Sequence, residues 1–158
     1  MRKLRSRSGV VTGAALVGLL AAADEGIAAG EGGTADDAKA MLERAVAAVK
    51  SDETAALAAF TAGSDGFRDR DLYVACSSAD DGTVTAHGGN PNLVGQSIYD
   101  LTDATAKKSG EEIHAVAVEG ELNVVEYVWP RPGETEGVPK TTYVTEVSDQ
   151  VCVVGYYQ

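Results

Sequence analysis

The sequence predicts an α+β fold, in which helices pack against one five-stranded antiparallel sheet. Two stretches with helical apolar spacing come first along the chain. Two strand-like runs, a loop with a third helical stretch, and three further strand-like runs then follow in that order. One antiparallel sheet with helices lying against it fits this order.

The first 23 residues predict a secretory signal peptide. Residues 1–8 carry four basic side chains, and residues 9–23 are apolar or small without charge. The run ends in Ala-Ala-Ala, which is typical of a signal-peptide cleavage site. This apolar run has 15 residues, fewer than the roughly 20 that a membrane-spanning helix needs. We therefore expect cleavage, no stable membrane insertion afterwards and a periplasmic or secreted protein. An uncleaved N-terminal anchor is the alternative.

The chain is acidic, with a formal net charge of −11. Cleavage after Ala23 would leave nine basic against 24 acidic residues, a net charge of −15. Such a chain repels nucleic acid phosphates and anionic lipids, so nucleic acid is excluded as a partner. The remaining length allows a single domain with a real core.

Residues 24–35 are Gly-rich and predict a flexible leader, so the folded domain is expected to span residues 36–158. A first helix begins at Asp36, with acidic residues in its first turn and a stripe of apolar positions. The stripe comprises Ala38, Met41, Leu42, Ala45, Val46 and Val49. Ser51 and Asp52 break this helix and can cap a shorter one that ends at Phe60.

A β-hairpin and a shaped loop come next. Residues 72–77 and 83–87 are strand-like, and Asp80, Asp81 and Gly82 form the turn between them. The glycines and the proline of residues 88–92 force the backbone out of the sheet. His87 is therefore expected at the rim of whatever cavity the loop covers.

The last part of the chain predicts a third helix and three strands. The helix spans residues 110–119, and the strands span residues 124–129, 141–147 and 151–157. Turn residues at 130–133 and 148–150 separate the strands.

The run from Phe67 to Tyr157 resembles a single Cache domain, the extracytoplasmic sensor module of the PAS-like fold. The resemblance rests on several short segments in a specific order and spacing. These segments are Asp71-Leu72-Tyr73-Val74, Asp81-Gly82-Thr83-Val84 with Ala86-His87, Asn90-Pro91 with Leu93-Val94-Gly95, Asp100-Leu101, Glu126-Tyr127-Val128-Trp129-Pro130, Pro139-Lys140 with Tyr143-Val144, and Val154-Gly155-Tyr156-Tyr157.

Members of that family usually sense small molecules and sit between two membrane helices of a chemoreceptor or histidine kinase. Here only Gln158 follows Tyr157. The resemblance therefore implies a free-standing, non-enzymatic ligand-binding domain. It would act in signal transduction or chemotaxis through a separate membrane histidine kinase or chemoreceptor.

In such a fold the ligand lies between the sheet and the loop and helix after the hairpin. Strand alternation places Tyr127 and Trp129 on one face, and aromatic walls with a few polar groups are usual for small-molecule sites. A buried ammonium at Lys140 would favour a small carboxylate. The predicted ligand-binding residues are Lys140, Tyr127, Trp129, Tyr143, His87 and Tyr73. The alternatives are an exposed lysine, aromatics that fill the core and a histidine bonded to the glycine loop.

Cys76 and Cys152 are the only cysteines. An exported protein meets an oxidising compartment, and an even count there suggests a bridge. The resemblance implies that the first and last strands are neighbours, which would bring the two cysteines within bridging distance. Two buried free thiols are the alternative.

Catalytic and cofactor signatures are missing from the sequence. No spaced His/Cys cluster suggests a metal, and no cofactor-binding motif is present. We therefore expect no enzyme, cofactor or metal. Two other classes stay open: a small cone-shaped isomerase with Glu126 facing a tyrosine in an apolar cavity, and a structural interaction module without a cavity.

Overall fold

The computed structural model describes residues 32–158 and confirms the α+β class. Its helices are α1 (Ala35–Ser51), α2 (Glu53–Ala62) and α3 (Ser109–Val116). Its strands are β1 (Arg68–Asp69), β2 (Leu72–Ser78), β3 (Val84–His87), β4 (Asn123–Pro130), β5 (Gly137–Val147) and β6 (Gln150–Tyr157). The predicted signal peptide, residues 1–23, and most of the predicted leader, residues 24–31, lie outside the described residues.

All strand pairs in the sheet are antiparallel, and the order along it is β1, β2, β6, β5, β4, with β3 also pairing with β2. The sheet has six strands rather than five, because the two-residue β1 pairs with the start of β2. β2 and β6 are neighbours, and Cys76 lies directly opposite Cys152. The two form a disulfide with a Cα to Cα distance of 4.2 Å.

The helices α1 and α2 cover one face of the sheet. Thr34 and Asp37 form a capping box at the start of α1, which satisfies backbone donors that a helix leaves free. The apolar stripe of α1 packs against β2, β5 and β6, with Val46 half-buried and its other members buried. Phe60 of α2 is fully buried in the same cluster.

The other face carries α3 and the segment between β3 and α3. Ile113 of α3 packs with Val125, Val144 and Val151 from three strands. The carboxylate of Asp103 holds the connecting segment against β4, since it accepts hydrogen bonds from the backbone N–H groups of Thr105, Lys107 and Val128. No helix within residues 32–158 has the length and apolar composition that crossing a membrane requires.

Candidate ligand-binding site

A cavity of about 50 Å³ lies between the sheet and α3. Five of the six predicted ligand-binding residues line it, namely Tyr73, His87, Tyr127, Trp129 and Lys140. A wider depression of about 360 Å³ shares three of these residues and is bordered by Asn90, Pro91 and residues 130–134. We call this depression the vestibule, because it adjoins the cavity at these three residues.

The strand register brings the polar side chains together. Lys140 of β5 lies opposite Tyr127 on β4 and opposite Tyr157 on β6. Gly155 makes room for the lysine, since a Cβ at that position would lie 2.4 Å from the Lys140 Cε atom. The lysine side chain thus crosses β6 and reaches Tyr73 on β2.

The Lys140 ammonium is surrounded by aromatic groups. Its Nζ atom donates a hydrogen bond of 2.9 Å to the Tyr73 hydroxyl and lies 4.1 Å from the centroid of that ring. The Tyr157 ring centroid is 4.8 Å away. The residue is only 3% exposed, and none of the five salt bridges within residues 32–158 involves it. Lys140 is therefore a buried cation without a carboxylate partner in the described part of the chain.

Burial changes the titration of the site. It lowers the pKa of Lys140 to about 7, against the opposing effect of the Asp71 carboxylate. Burial and then the charge of Lys140 lower the pKa of His87 to about 4, whereas burial raises the pKa of Tyr127 to about 12. Burial likewise raises the pKa of Tyr73. Around neutral pH, Lys140 is thus the group in this cluster whose charge changes.

His87 lies at the junction of the cavity and the vestibule. Its Nδ1 atom accepts a 2.9 Å hydrogen bond from the backbone N–H of Asn90, so the ring fixes the glycine loop. A neutral imidazole that accepts at Nδ1 carries its proton on Nε2. His87 thus lies at the expected rim position, and it makes the bond to the glycine loop that was the alternative to a ligand contact.

The structure does not bring Tyr143 to the cavity, although the sequence analysis placed it in the site. Tyr143 packs on the α1 face beside Tyr156, with 6.2 Å between the ring centroids. Because strand side chains alternate, residues three apart such as Lys140 and Tyr143 point to opposite faces. The three-residue spacing in the sequence therefore shows that Lys140 and Tyr143 do not line the same pocket.

The two other functional classes fit the geometry less well. Glu126, the carboxylate expected of an isomerase, is exposed on the face that Tyr143 occupies. Its side chain accepts a hydrogen bond from Thr141 and does not line the cavity. The structural module was expected to have a filled sheet face, whereas a cavity is present.

Three neighbours of the cluster were not singled out from the sequence. Tyr157 donates a 2.7 Å hydrogen bond to the Pro130 carbonyl and lies between the site and Arg131, whose Cζ atom is 4.9 Å from its ring centroid. Arg131 borders the vestibule and donates to Asp71 at 3.2 Å. Ser109 lines the cavity from α3. Their positions depend on long-range strand pairing and helix packing, which local patterns do not give.

An antiparallel sheet with a small cavity between it and a covering helix is typical of PAS-like sensor domains. Residues 17–157 match the family described as Single Cache domain 2. The chain therefore belongs to the single Cache domain family. Cache domains are extracytoplasmic modules that bind small molecules, sit in chemoreceptors and are generally non-enzymatic.

Solved structures share this fold. A methyl-accepting chemotaxis protein from Vibrio parahaemolyticus RIMD 2210633 has 23% identity and a TM-score of 0.64 over 77% of this chain and 86% of that chain. The periplasmic sensor domain of a chemotaxis protein has 27% identity and a TM-score of 0.58, over 77% of this chain and 88% of that chain. A Cache chemosensory domain studied for carboxylic acid recognition has 22% identity and a TM-score of 0.58, over 77% of this chain and 86% of that chain. No curated protein matches this chain.

Proposed function

We propose that this protein is an exported sensor domain that binds a small carboxylate at Lys140. One observation carries the proposal: a lysine that is 3% exposed has no carboxylate partner among residues 32–158. Burying an unpaired charge is costly, and proteins normally pair such a group or neutralise it. An anionic ligand in the cavity supplies the missing partner.

The size and lining of the cavity define the ligand further. A volume of about 50 Å³ holds roughly four water-sized groups. Away from Lys140 the walls are mainly apolar, with Ile98, Ile113 and Val153 among them. A monocarboxylate of about two to four carbons satisfies both conditions, with its carboxylate at Lys140 and its apolar part against Ile98, Ile113 and Val153.

The output of the domain is proposed from its relatives. The periplasmic sensor domain that is 27% identical belongs to a chemotaxis protein, and another similar structure concerns carboxylic acid recognition. We assign the present chain a corresponding role in chemotaxis or signal transduction, with a chemoreceptor or histidine kinase as its membrane partner. Export through the signal in residues 1–23 belongs to the same proposal.

Isothermal titration calorimetry tests the ligand class. Acetate, propionate, butyrate, pyruvate and lactate are titrated into the purified protein below pH 7, where Lys140 is charged. At least one is expected to bind, whereas propionamide, which matches propionate in shape but lacks its charge, is not. Lys50→Met removes an exposed lysine at the end of α1 and is expected to bind as the unaltered protein does. Equal binding of acid and amide, or binding of none of the five acids, contradicts the proposal.

A further inference from the structure

The first turn of α3 offers a second polar group to the cavity that holds Lys140. Ser109 is the first residue of α3, is 3% exposed and lines that cavity. Its backbone N–H donates to the Lys107 carbonyl at 3.0 Å. Within residues 32–158 its hydroxyl makes no hydrogen bond, and it is not among the side-chain atoms that are both sealed from solvent and unpartnered. Ser109 therefore lines the cavity with a hydroxyl that has no hydrogen-bond partner among the described residues.

The helix end around Ser109 is unusual in a second respect. Lys108, the residue before α3, provides no side-chain cap. A helix of this kind leaves its first backbone N–H groups without partners and carries a partial positive charge at this end. This helix end favours negative charge, part of which Glu111 and Glu112 of the first turn already supply. Ser109 is the polar side chain of this turn that lines the cavity.

Packing holds the start of α3 close to the sheet. Gly110 lies so near the 3-10 turn Ile98–Asp100 that a Cβ would approach the Ile98 carbonyl oxygen to 1.9 Å. The segment before α3 is held at β4 by the bond between Asp103 and Val128, one residue from Tyr127. Ser109 and Gly110 at the start of α3 line the same cavity of about 50 Å³ as Lys140.

We propose that Ser109 is a ligand-binding residue that donates a hydrogen bond to the carboxylate held by Lys140. A carboxylate has two oxygens and accepts about four hydrogen bonds. In this arrangement the ammonium binds one oxygen and the Ser109 hydroxyl binds the other. The ligand thereby links β5 to α3, two elements on opposite sides of the cavity. This inference rests on the carboxylate function proposed above.

The test compares Ser109→Ala with the unaltered protein, using propionate and acetate as probes in calorimetry. Hydrogen bonds to charged groups are strong, so the affinity is expected to fall roughly ten- to a hundredfold. The melting temperature without ligand is expected to stay the same, because the hydroxyl has no protein partner to lose. Ser51→Ala, an exposed serine at the end of α1, serves as the control and leaves both quantities unchanged.

The outcomes separate this inference from the function on which it rests. If the unaltered protein binds the probes and Ser109→Ala binds them equally well, the role of Ser109 is overturned while the carboxylate function stands. If Ser109→Ala lowers the melting temperature without changing the affinity, the serine is structural and the inference is likewise overturned. If the unaltered protein binds neither probe nor any other small acid, both proposals fall together.

Discussion

Lys140→Met is expected to make the ligand-free protein more stable and to abolish carboxylate binding. Lys140 is buried without a carboxylate partner, so its charge opposes folding. Methionine has a similar length and no charge, and replacing buried charged groups with apolar ones often stabilises a protein by roughly 1–4 kcal/mol. Removing one partner of a buried charged contact typically costs about 2–5 kcal/mol of binding, or roughly 30-fold or more in affinity.

The stability gain is expected to depend on pH. The folded-state pKa of Lys140 is lowered to about 7 from the usual 10.5, so the unfolded chain holds a proton that the folded chain releases between these values. Folding stability therefore rises with pH across this window. The advantage of Lys140→Met is largest below pH 7 and shrinks as the pH approaches 10.5.

Chemical denaturation with and without propionate measures both effects. Lys50→Met is the control, because an exposed lysine has no desolvation to relieve. A Lys140→Met variant that is less stable than the unaltered protein at every pH would show that the lysine serves the fold. A variant that still binds propionate would show that the ligand lies elsewhere.

Removing the disulfide is expected to have the largest effect on stability. Cys76 and Cys152 join β2 to β6 and enclose a separation of 76 residues. A crosslink of this span constrains the unfolded chain by roughly 4 kcal/mol in the loop-entropy account, whose mechanism is debated. For a domain of this size, such a loss lowers the melting temperature by roughly 10–20 °C.

The measurement compares the unaltered protein with the double variant Cys76→Ala and Cys152→Ala in urea, each with and without reductant. Reductant is expected to shift the unfolding midpoint of the unaltered protein towards that of the variant and to leave the variant unchanged. Because both cysteines are buried, the reductant acts while the chain is unfolded. Identical midpoints for all four samples would contradict the structural role of this bridge.

Local patterns were sufficient for the helices and strands. The apolar stripe and acidic first turn of α1, the Asp-Gly turn of the hairpin and the three final strand-like runs all appear close to their expected positions. Strand pairing is different, because β2 meets β6 across most of the domain. The pairing of β2 with β6, and with it the disulfide between Cys76 and Cys152, was predicted from the family resemblance.

The site was predicted less completely than the fold. Alternation within β4 correctly placed Tyr127 and Trp129 on one face. The same alternation in β5 puts Tyr143 on the face opposite to Lys140, so the two residues cannot belong to one pocket. Ser109 gave no sequence signal, since a serine at the start of a helix is commonly a cap. Its place in the cavity wall depends on the packing of α3 against the sheet, which local patterns do not give.

The protonation of Lys140 tests the central claim most directly. In a protein with carbon-13 at the lysine ε position, nuclear magnetic resonance follows each lysine through a pH titration, and Lys140→Met identifies the signal of interest. Without ligand, the Lys140 signal is expected to titrate near pH 7. With saturating propionate, the added negative charge favours the ammonium and is expected to raise this pKa by at least about one unit. A Lys140 pKa near 10.5 that propionate leaves unchanged would contradict a buried cation that awaits an anionic ligand.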